Sequence, residues 1–186
     1  MAEVKQGDQF PKDVELSYIP IDISNLELLD PLACQRPINL KLDSLFGVEG
    51  KIVIVAVPGA FTPTCTENHI PPFITHLAQL KEKLDVNHIL IISTNDAFVN
   101  NAWGKLLLKQ GLRGVKIDGE VPKVYFASDT KGSFSQPLGL FNAEADRTKR
   151  YALIVDQKTA KFDYVGVEVE RGVKFSGIDA VLSARL

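Results

Sequence analysis

The sequence has few cysteines, no long apolar run and almost no excess charge, and each shortage excludes a class of protein. Only Cys34 and Cys65 are cysteines among 186 residues. Two cysteines so far apart exclude a disulfide scaffold, a Cys-x-x-Cys redox pair and a thiolate-rich zinc site. No apolar run approaches the roughly 20 residues that span a bilayer. The formal net charge of −2 gives no basic face for nucleic acid. We therefore expect neither membrane nor nucleic-acid binding.

The composition is otherwise that of an ordinary globular domain. Hydrophobic residues make up 45% of the chain and charged residues 24%, which is typical of soluble proteins. The length suits one domain with a substantial core, so we expect residues 1–186 to form a single domain. The first residues lack the apolar core of a signal peptide. We expect a cytoplasmic protein, in which any disulfide is transient.

One stretch combines a buried strand with a nucleophile. Residues 52–57 are an unbroken, mostly β-branched run, which predicts a strand buried on both faces. Pro58-Gly59 then ends the strand. Thr62-Pro63-Thr64 predicts the start of a helix, with Thr62 as the cap and proline where a missing N–H costs nothing.

Cys65 therefore falls in the first turn of a helix that follows a central strand. Unpaired N–H groups and the helix dipole favour an anion at that place, here a thiolate. A buried cysteine is more often a small inert hydrophobe, but this position favours a reactive one.

The rest of the chain alternates strands and helices, which is typical of an α/β fold with parallel neighbours. Prolines at 71 and 72 should kink or split the helix that runs from Cys65 towards Leu84. Residues 25–39, which carry Cys34, and residues 112–123 read as loops. From the residues alone, Cys34 is equally compatible with a spare thiol and a redox role. The remaining predicted strands are residues 14–19, 88–94, 124–127, 151–155 and 161–169. A helix is predicted over residues 97–109, with Asn95 or Asp96 as its cap. A short helix is predicted after Asp129, and a final helix is predicted with Ser176 as its cap.

Pro58, Thr62 and Cys65 reproduce the Pro-x-x-x-Thr-x-x-Cys signature of the peroxiredoxins. The surrounding residues resemble the type-5 branch of that family, which includes fungal alkyl hydroperoxide reductases. The resemblance implies a thioredoxin-like α/β fold, with a central mixed β-sheet flanked by helices and an N-terminal extension. Further blocks in the same order are His69-Ile70-Pro71, Phe98-Val99-x-x-Ala102-Trp103-Gly104, Ser128-Asp129-x-x-Gly132-x-Phe134 and Arg147-x-x-Arg150-Tyr151-Ala152.

The resemblance also implies the site and its chemistry. Cys65 would be the peroxidatic residue, which attacks hydrogen peroxide or an alkyl hydroperoxide and becomes a sulfenic acid. Arg150 would supply the cation that stabilises the thiolate and polarises the O–O bond of the peroxide. We prefer Arg150 to the nearby Arg147 because Arg150 directly precedes Tyr151-Ala152. Thr62 would hydrogen-bond the peroxide, and Pro58 would shield the thiolate from water. No cofactor and no metal are expected.

The second half of the cycle depends on Cys34. Some fungal members of the branch have a second cysteine in this region, which resolves the oxidised site. The resemblance thus implies a homodimer in which Cys34 of one subunit closes a disulfide with Cys65 of the other, recycled by thioredoxin. If Cys34 is unreactive, glutathione or glutaredoxin would resolve the site. A cysteine hydrolase or glyoxalase-like enzyme and a redox-sensing protein without turnover are the other readings.

Three weaker features complete the predictions. The C-terminal Ala184-Arg185-Leu186 resembles a relaxed peroxisomal address, and an ordinary helix end explains it equally well. Phe61 and Trp103 are dimer-interface candidates by resemblance. His69 lies too far from the other histidines to share a metal with them and is predicted to be structural. A hydrolase would need a histidine base beside the thiol, and only His69 is near enough to consider.

Overall fold

The computed structural model describes residues 3–26, 29–33, 35–115, 117 and 119–186. Within them the chain forms nine strands, four α-helices and a π-helical segment. The strands are β1 (Glu15–Tyr18), β2 (Ile38–Lys41), β3 (Lys51–Ala56), β4 (Val86–Ser93), β5 (Lys123–Ser128), β6 (Phe141–Asn142), β7 (Arg147–Thr148), β8 (Tyr151–Asp156) and β9 (Lys161–Val167). The helices are α1 (Ile70–Thr75), α2 (Leu77–Leu84), α3 (Ala97–Gly111) and α4 (Ile178–Leu182), and the π-helical segment is Thr64–His69.

Seven strands form one mixed sheet in the order β2-β1-β5-β4-β3-β8-β9. β3, β4 and β5 are parallel neighbours, whereas the remaining pairs are antiparallel. Every residue of β3 after Lys51 is buried, as the β-branched run predicts. The mixed central sheet expected from the sequence is therefore present, and β3 lies inside it.

The two faces of the sheet are covered by different parts of the chain. Val53 and Val55 of β3 face a core built with the four α-helices. Ile52 and Ile54 face the opposite core, to which Phe10 contributes. Backbone hydrogen bonds hold the N-terminal segment against this second face, from the N–H groups of Val4, Gly7 and Phe10 to the carbonyls of Leu138, Phe162 and Ala160. The N-terminal extension is thus a layer of the fold.

The helix after Cys65 is interrupted, but not at the prolines. The break falls at His76, between α1 and α2, whereas Pro71 and Pro72 lie in the first turn of α1. A missing N–H costs little in a first turn, so the prolines are tolerated there. The preceding segment is π-helical, because the Ile70 N–H donates to the carbonyl of Cys65, five residues back.

Two further predictions about secondary structure need correction. Residues 25–39 were predicted to be a loop, yet Ile38–Lys41 is the edge strand β2, and β1 is its inner partner. The helix predicted after Asp129 is only a 3₁₀ turn, Thr130–Gly132, followed by further turns. The Asp129 carboxylate instead accepts the backbone N–H of Phe134 at 2.8 Å.

Of the helix caps predicted at Asp96 and Ser176, the first is present and the second is not. Asp96 caps α3 as expected, because its Oδ1 accepts the Val99 N–H at 2.8 Å. Ser176 does not cap α4, since its hydroxyl donates to Glu168 Oε1 at 2.8 Å. Caps formed within a helix turn are visible in a sequence, whereas a hydroxyl with a distant partner is not.

Gly104 of α3 provides a test of the packing between helix and sheet. A Cβ at this position would lie 2.4 Å from Cγ of the Phe126 ring, so alanine must push α3 away from β5. We expect Gly104→Ala to lower the free energy of unfolding by about 1–3 kcal/mol, measured by urea denaturation. The control Gln110→Ala changes an exposed residue of the same helix; an equal effect of both changes would contradict this packing.

Candidate active site

Cys65 follows the loop that leaves β3, and hydrogen bonds hold this loop in place. The Ala60 N–H donates to Asn95 Oδ1 at 2.9 Å, and the Thr62 hydroxyl donates to the Gly59 carbonyl at 2.9 Å. Thr62 therefore does not cap the helix with its side chain, although its carbonyl accepts the Thr66 N–H. Cys65 is fully buried in the first turn of the π-helical segment, as predicted for a helix start.

Arg150 contacts the sulfur directly. Its Nη2 donates to Cys65 Sγ at 3.3 Å, across 85 residues of sequence. Its Nη1 donates to Nδ1 of His69 at 2.9 Å. Arg147, the alternative in the sequence, makes no contact with Sγ among the described residues and lies instead beside Gly59. A permanent cation therefore lies next to the sulfur.

His69 is the site residue whose role the sequence did not reveal. Its Nε2 lies 2.9 Å from the Ser176 carbonyl, which can only accept, so the proton is on Nε2 and Nδ1 is free to accept from Arg150. The pKa of His69 is lowered to about 4, mainly by burial. The hydrogen bond to Ser176 raises the pKa, whereas the charge of Arg150 lowers it further. His69 is thus neutral and positions the guanidinium. Its spacing of four residues from Cys65 was the only local signal.

A second tier of hydrogen bonds fixes this chain of contacts. Oε1 of Glu168 accepts the N–H of Ser176 at 2.7 Å and the N–H of Phe175 at 2.6 Å. The Glu168 N–H donates to the Arg150 carbonyl at 2.9 Å. Glu168 therefore joins Arg150, the residue before β8, to the segment that holds His69.

The other two predicted site residues lie on the loop before Cys65. Pro58 lines a cleft of about 550 Å³ together with Arg150. Because the Thr62 hydroxyl uses its proton on Gly59, its lone pairs remain free to accept a proton from a ligand. The hydrogen bonds of the described residues include none between Thr62 and Sγ.

Cys34 lies outside the described residues, but the segment before it is anchored. Nζ of the buried Lys105 donates to the carbonyls of Asp30 at 3.1 Å and Ala33 at 2.9 Å. Nζ of Lys109 donates to the Leu29 carbonyl at 3.2 Å. Two lysines of α3 thus hold residues 29–33 against the helix.

The two interface candidates differ in exposure. Trp103 is 1% exposed and packs edge-on against Phe126, and its Nε1–H donates to Thr66 Oγ1 at 3.2 Å. A side chain buried in this way offers almost no surface to a partner. Phe61 is 54% exposed and adopts a positive φ of 58°, so it remains the candidate.

The other histidines and the acids that the structure describes do not assemble into a metal centre. His76 bonds the Pro72 carbonyl, and His88 lies beside Tyr125. In the described part of the chain, no group of three or more His, Cys, Asp and Glu side chains could hold a metal ion. No helix in that part is long and apolar enough to cross a membrane.

Comparisons with known proteins identify the family of the chain. Residues 5–182 match the Redoxin family. Peroxiredoxin AHP1 of Chaetomium thermophilum is 42% identical over 184 residues, covering 98% of this chain and 95% of the relative. A putative peroxisomal peroxiredoxin of Lipomyces kononenkoae is 42% identical over 181 residues, covering 95% of this chain and 98% of the relative.

Solved structures give the same result. Reduced Prx3 of Vibrio vulnificus in complex with H₂O₂ has a TM-score of 0.73 and 30% identity, with 97% of this chain and 95% of that chain covered. Peroxiredoxin 5 of Alvinella pompejana has a TM-score of 0.67 and 25% identity, with 97% of both chains covered. These likenesses confirm the predicted thioredoxin-like α/β fold.

The low pKa of His69 predicts how stability depends on pH. The folded value of about 4 lies below the ordinary 6.5, so the unfolded chain binds the proton more readily. The stability that neutral His69 provides is complete above pH 6.5 and is lost as the pH falls towards 4. Between pH 7 and pH 5 the free energy of unfolding should fall on the order of 2 kcal/mol more in the native protein than in His69→Gln.

Urea denaturation at a series of pH values measures this difference. His76→Gln is the control, because His76 lies outside the Arg150 contacts, and it should keep the native pH dependence. Equal slopes for the native protein and His69→Gln would show that His69 does not resist protonation in the folded state.

Proposed function

The chain belongs to the peroxiredoxin family and is a thiol-dependent peroxidase, and we propose that Cys65 is its peroxidatic residue. Peroxiredoxins act on peroxide substrates with a thiol reductant. We also propose that residues 1–186 form a single domain. Its proposed substrates are hydrogen peroxide and alkyl hydroperoxides.

The observation that carries the proposal is the contact between Arg150 and Cys65. Nη2 lies 3.3 Å from Sγ, so the guanidinium stabilises the attacking thiolate. The same group can stabilise negative charge that develops on the leaving oxygen of the peroxide. Guanidinium suits both tasks because it stays protonated and presents several donors in a fixed fork.

Thr62 and Pro58 would complete the site. A peroxide O–H can donate to the Thr62 hydroxyl, whose own proton is used on the Gly59 carbonyl. This contact would orient the O–O bond towards the sulfur. Pro58, in the wall of the same cleft as Arg150, would limit the access of water to the thiolate.

The proposed first step transfers two electrons from the sulfur to the peroxide. The Cys65 thiolate attacks the terminal oxygen, an S–O bond forms and the O–O bond breaks. The leaving oxygen takes up a proton and departs as water or an alcohol. Cys65 is left as a sulfenic acid, and the peroxide is reduced.

In the second step, the Cys34 thiol of a partner subunit would condense with the sulfenic acid, which forms a disulfide and releases water. Anchoring of residues 29–33 by Lys105 and Lys109 supports a defined place for the segment that precedes Cys34. Exposed Phe61 is our candidate for the homodimer interface. Thioredoxin is the proposed reductant, with glutathione or glutaredoxin as the alternative if Cys34 does not react.

The hydrolase reading finds no support at His69. Its Nδ1 accepts from Arg150, and its Nε2–H donates to the Ser176 carbonyl. Neither ring nitrogen is therefore available as a base for Cys65. A redox sensor would oxidise Cys65 in the same way, but without rapid turnover.

For the location of the protein, we propose the cytoplasm or the peroxisome, and the relative named a putative peroxisomal peroxiredoxin, at 42% identity, supports the peroxisome. In Ala184-Arg185-Leu186, which would be the peroxisomal address, Arg185 and Leu186 are exposed, whereas Ala184 packs partly against the core.

A non-reducing gel after stoichiometric peroxide tests the roles of both cysteines. We expect a reducible dimer band in the native protein that is lost in Cys34→Ser and in Cys65→Ser, because the disulfide needs one sulfur from each residue. Thioredoxin with its reductase should remove the band faster than glutathione with glutaredoxin does.

Two other results would contradict the proposed resolution step. A faster-moving monomer that is lost in both variants would mean that the disulfide closes within one chain. A native protein with no disulfide, and with Cys65 as a sulfenic acid or glutathione adduct, would establish the one-cysteine cycle.

A further inference from the structure

An arginine without a partner lies beside the candidate active site. Arg147 is exposed, and within the described residues its guanidinium makes no hydrogen bond or ion pair, although its backbone pairs with Asn142. Its Nη1 is 3.4 Å from where a Cβ on Gly59 would lie, and Cγ2 of Thr62 is 3.3 Å from the same point. The guanidinium therefore borders the loop that leads to Cys65.

The backbone around Arg147 is held firmly in this place. The hydroxyl of the next residue, the buried Thr148, donates to the Val57 carbonyl at 2.8 Å. The N–H of Lys149 donates to the Leu140 carbonyl at 2.9 Å. The first bond attaches the β6–β7 hairpin to the end of β3 and the second closes the hairpin, so Arg147 is held beside the loop that leads to Cys65.

The neighbouring cleft of about 550 Å³ contains three cationic side chains, and two of them are already engaged. Lys149 pairs with Glu3 at 3.0 Å, and Arg150 donates to Cys65 and His69. The other carboxylate of the cleft, Glu168, accepts from Ser176 and Phe175. Arg147 is thus the cation of this cleft with its donors available.

We propose that Arg147 binds the carboxylate of an acidic hydroperoxide while the peroxide group of the same molecule reaches Cys65. This inference rests on the proposed peroxidase function and names a substrate class for it. A guanidinium fork matches the two oxygens of a carboxylate. Neutral peroxides of similar size would lack this contact, so the enzyme discriminates between an acid and its ester.

The test compares a short tertiary alkyl hydroperoxide that carries a carboxylate with its methyl ester. In the native protein, kcat/KM for the acid should exceed that for the ester by about fivefold at low salt, the size of an exposed ion pair. The ratio should fall towards one as ionic strength rises. Arg147→Gln should bring it to about one even at low salt.

The matched control is Arg113→Gln, which removes the same charge from the loop after α3. It should keep the native acid-to-ester ratio and its salt dependence. A ratio of one in the native protein, or an unchanged ratio in Arg147→Gln, would overturn the inference.

Turnover of tert-butyl hydroperoxide with a dithiol separates the two hypotheses. Turnover together with an acid-to-ester ratio of one would leave the peroxidase function intact and refute only the role of Arg147. Absence of turnover with all three peroxides would refute the peroxidase proposal and, with it, this inference.

Discussion

The site depends on one guanidinium held between a sulfur and an imidazole. Arg150 donates to Cys65 Sγ at 3.3 Å and to His69 Nδ1 at 2.9 Å. A carboxylate at the position of His69 would neutralise much of the positive charge, whereas a neutral imidazole accepts a hydrogen bond without doing so. The burial that keeps His69 neutral therefore leaves the charge of Arg150 beside the sulfur, where we propose that it acts on the reacting oxygen.

The sheet explains why two residues so distant in sequence meet. β3 and β8 are antiparallel, and Ala56 pairs with Tyr151 at the end where β3 finishes and β8 begins. Arg150 directly precedes β8, and the loop to Cys65 directly follows β3, so both residues lie at the same end of these two strands. The N–H of Glu168, which directly follows β9, donates to the Arg150 carbonyl at this end of the sheet. The contact between Arg150 and Cys65 is thus a consequence of strand register.

Sequence reasoning succeeded where the relevant physics is local. The buried β3 run, the stop at Pro58-Gly59 and the place of Cys65 in a first helical turn all follow from neighbouring residues. Arg150 came from the family resemblance, because no local rule joins it to Cys65. His69 was missed, since its two partners are brought to it only by tertiary packing. The side chain of Ser176 was misassigned for the same reason: its hydroxyl prefers a partner eight residues away, Glu168, over the start of α4.

The most direct test of this account is the single-turnover rate of Cys65 oxidation by hydrogen peroxide, followed by stopped-flow in Arg150→Lys and Arg150→Met. Thermal unfolding would first establish that both variants are folded. We expect the rate to fall at least about a hundredfold in Arg150→Met, the usual effect of removing one preorganised donor. Lysine should restore part of the rate, because it returns the charge but not the fork. A rate in Arg150→Met close to that of the native protein would show that the Arg150 contact does not activate Cys65.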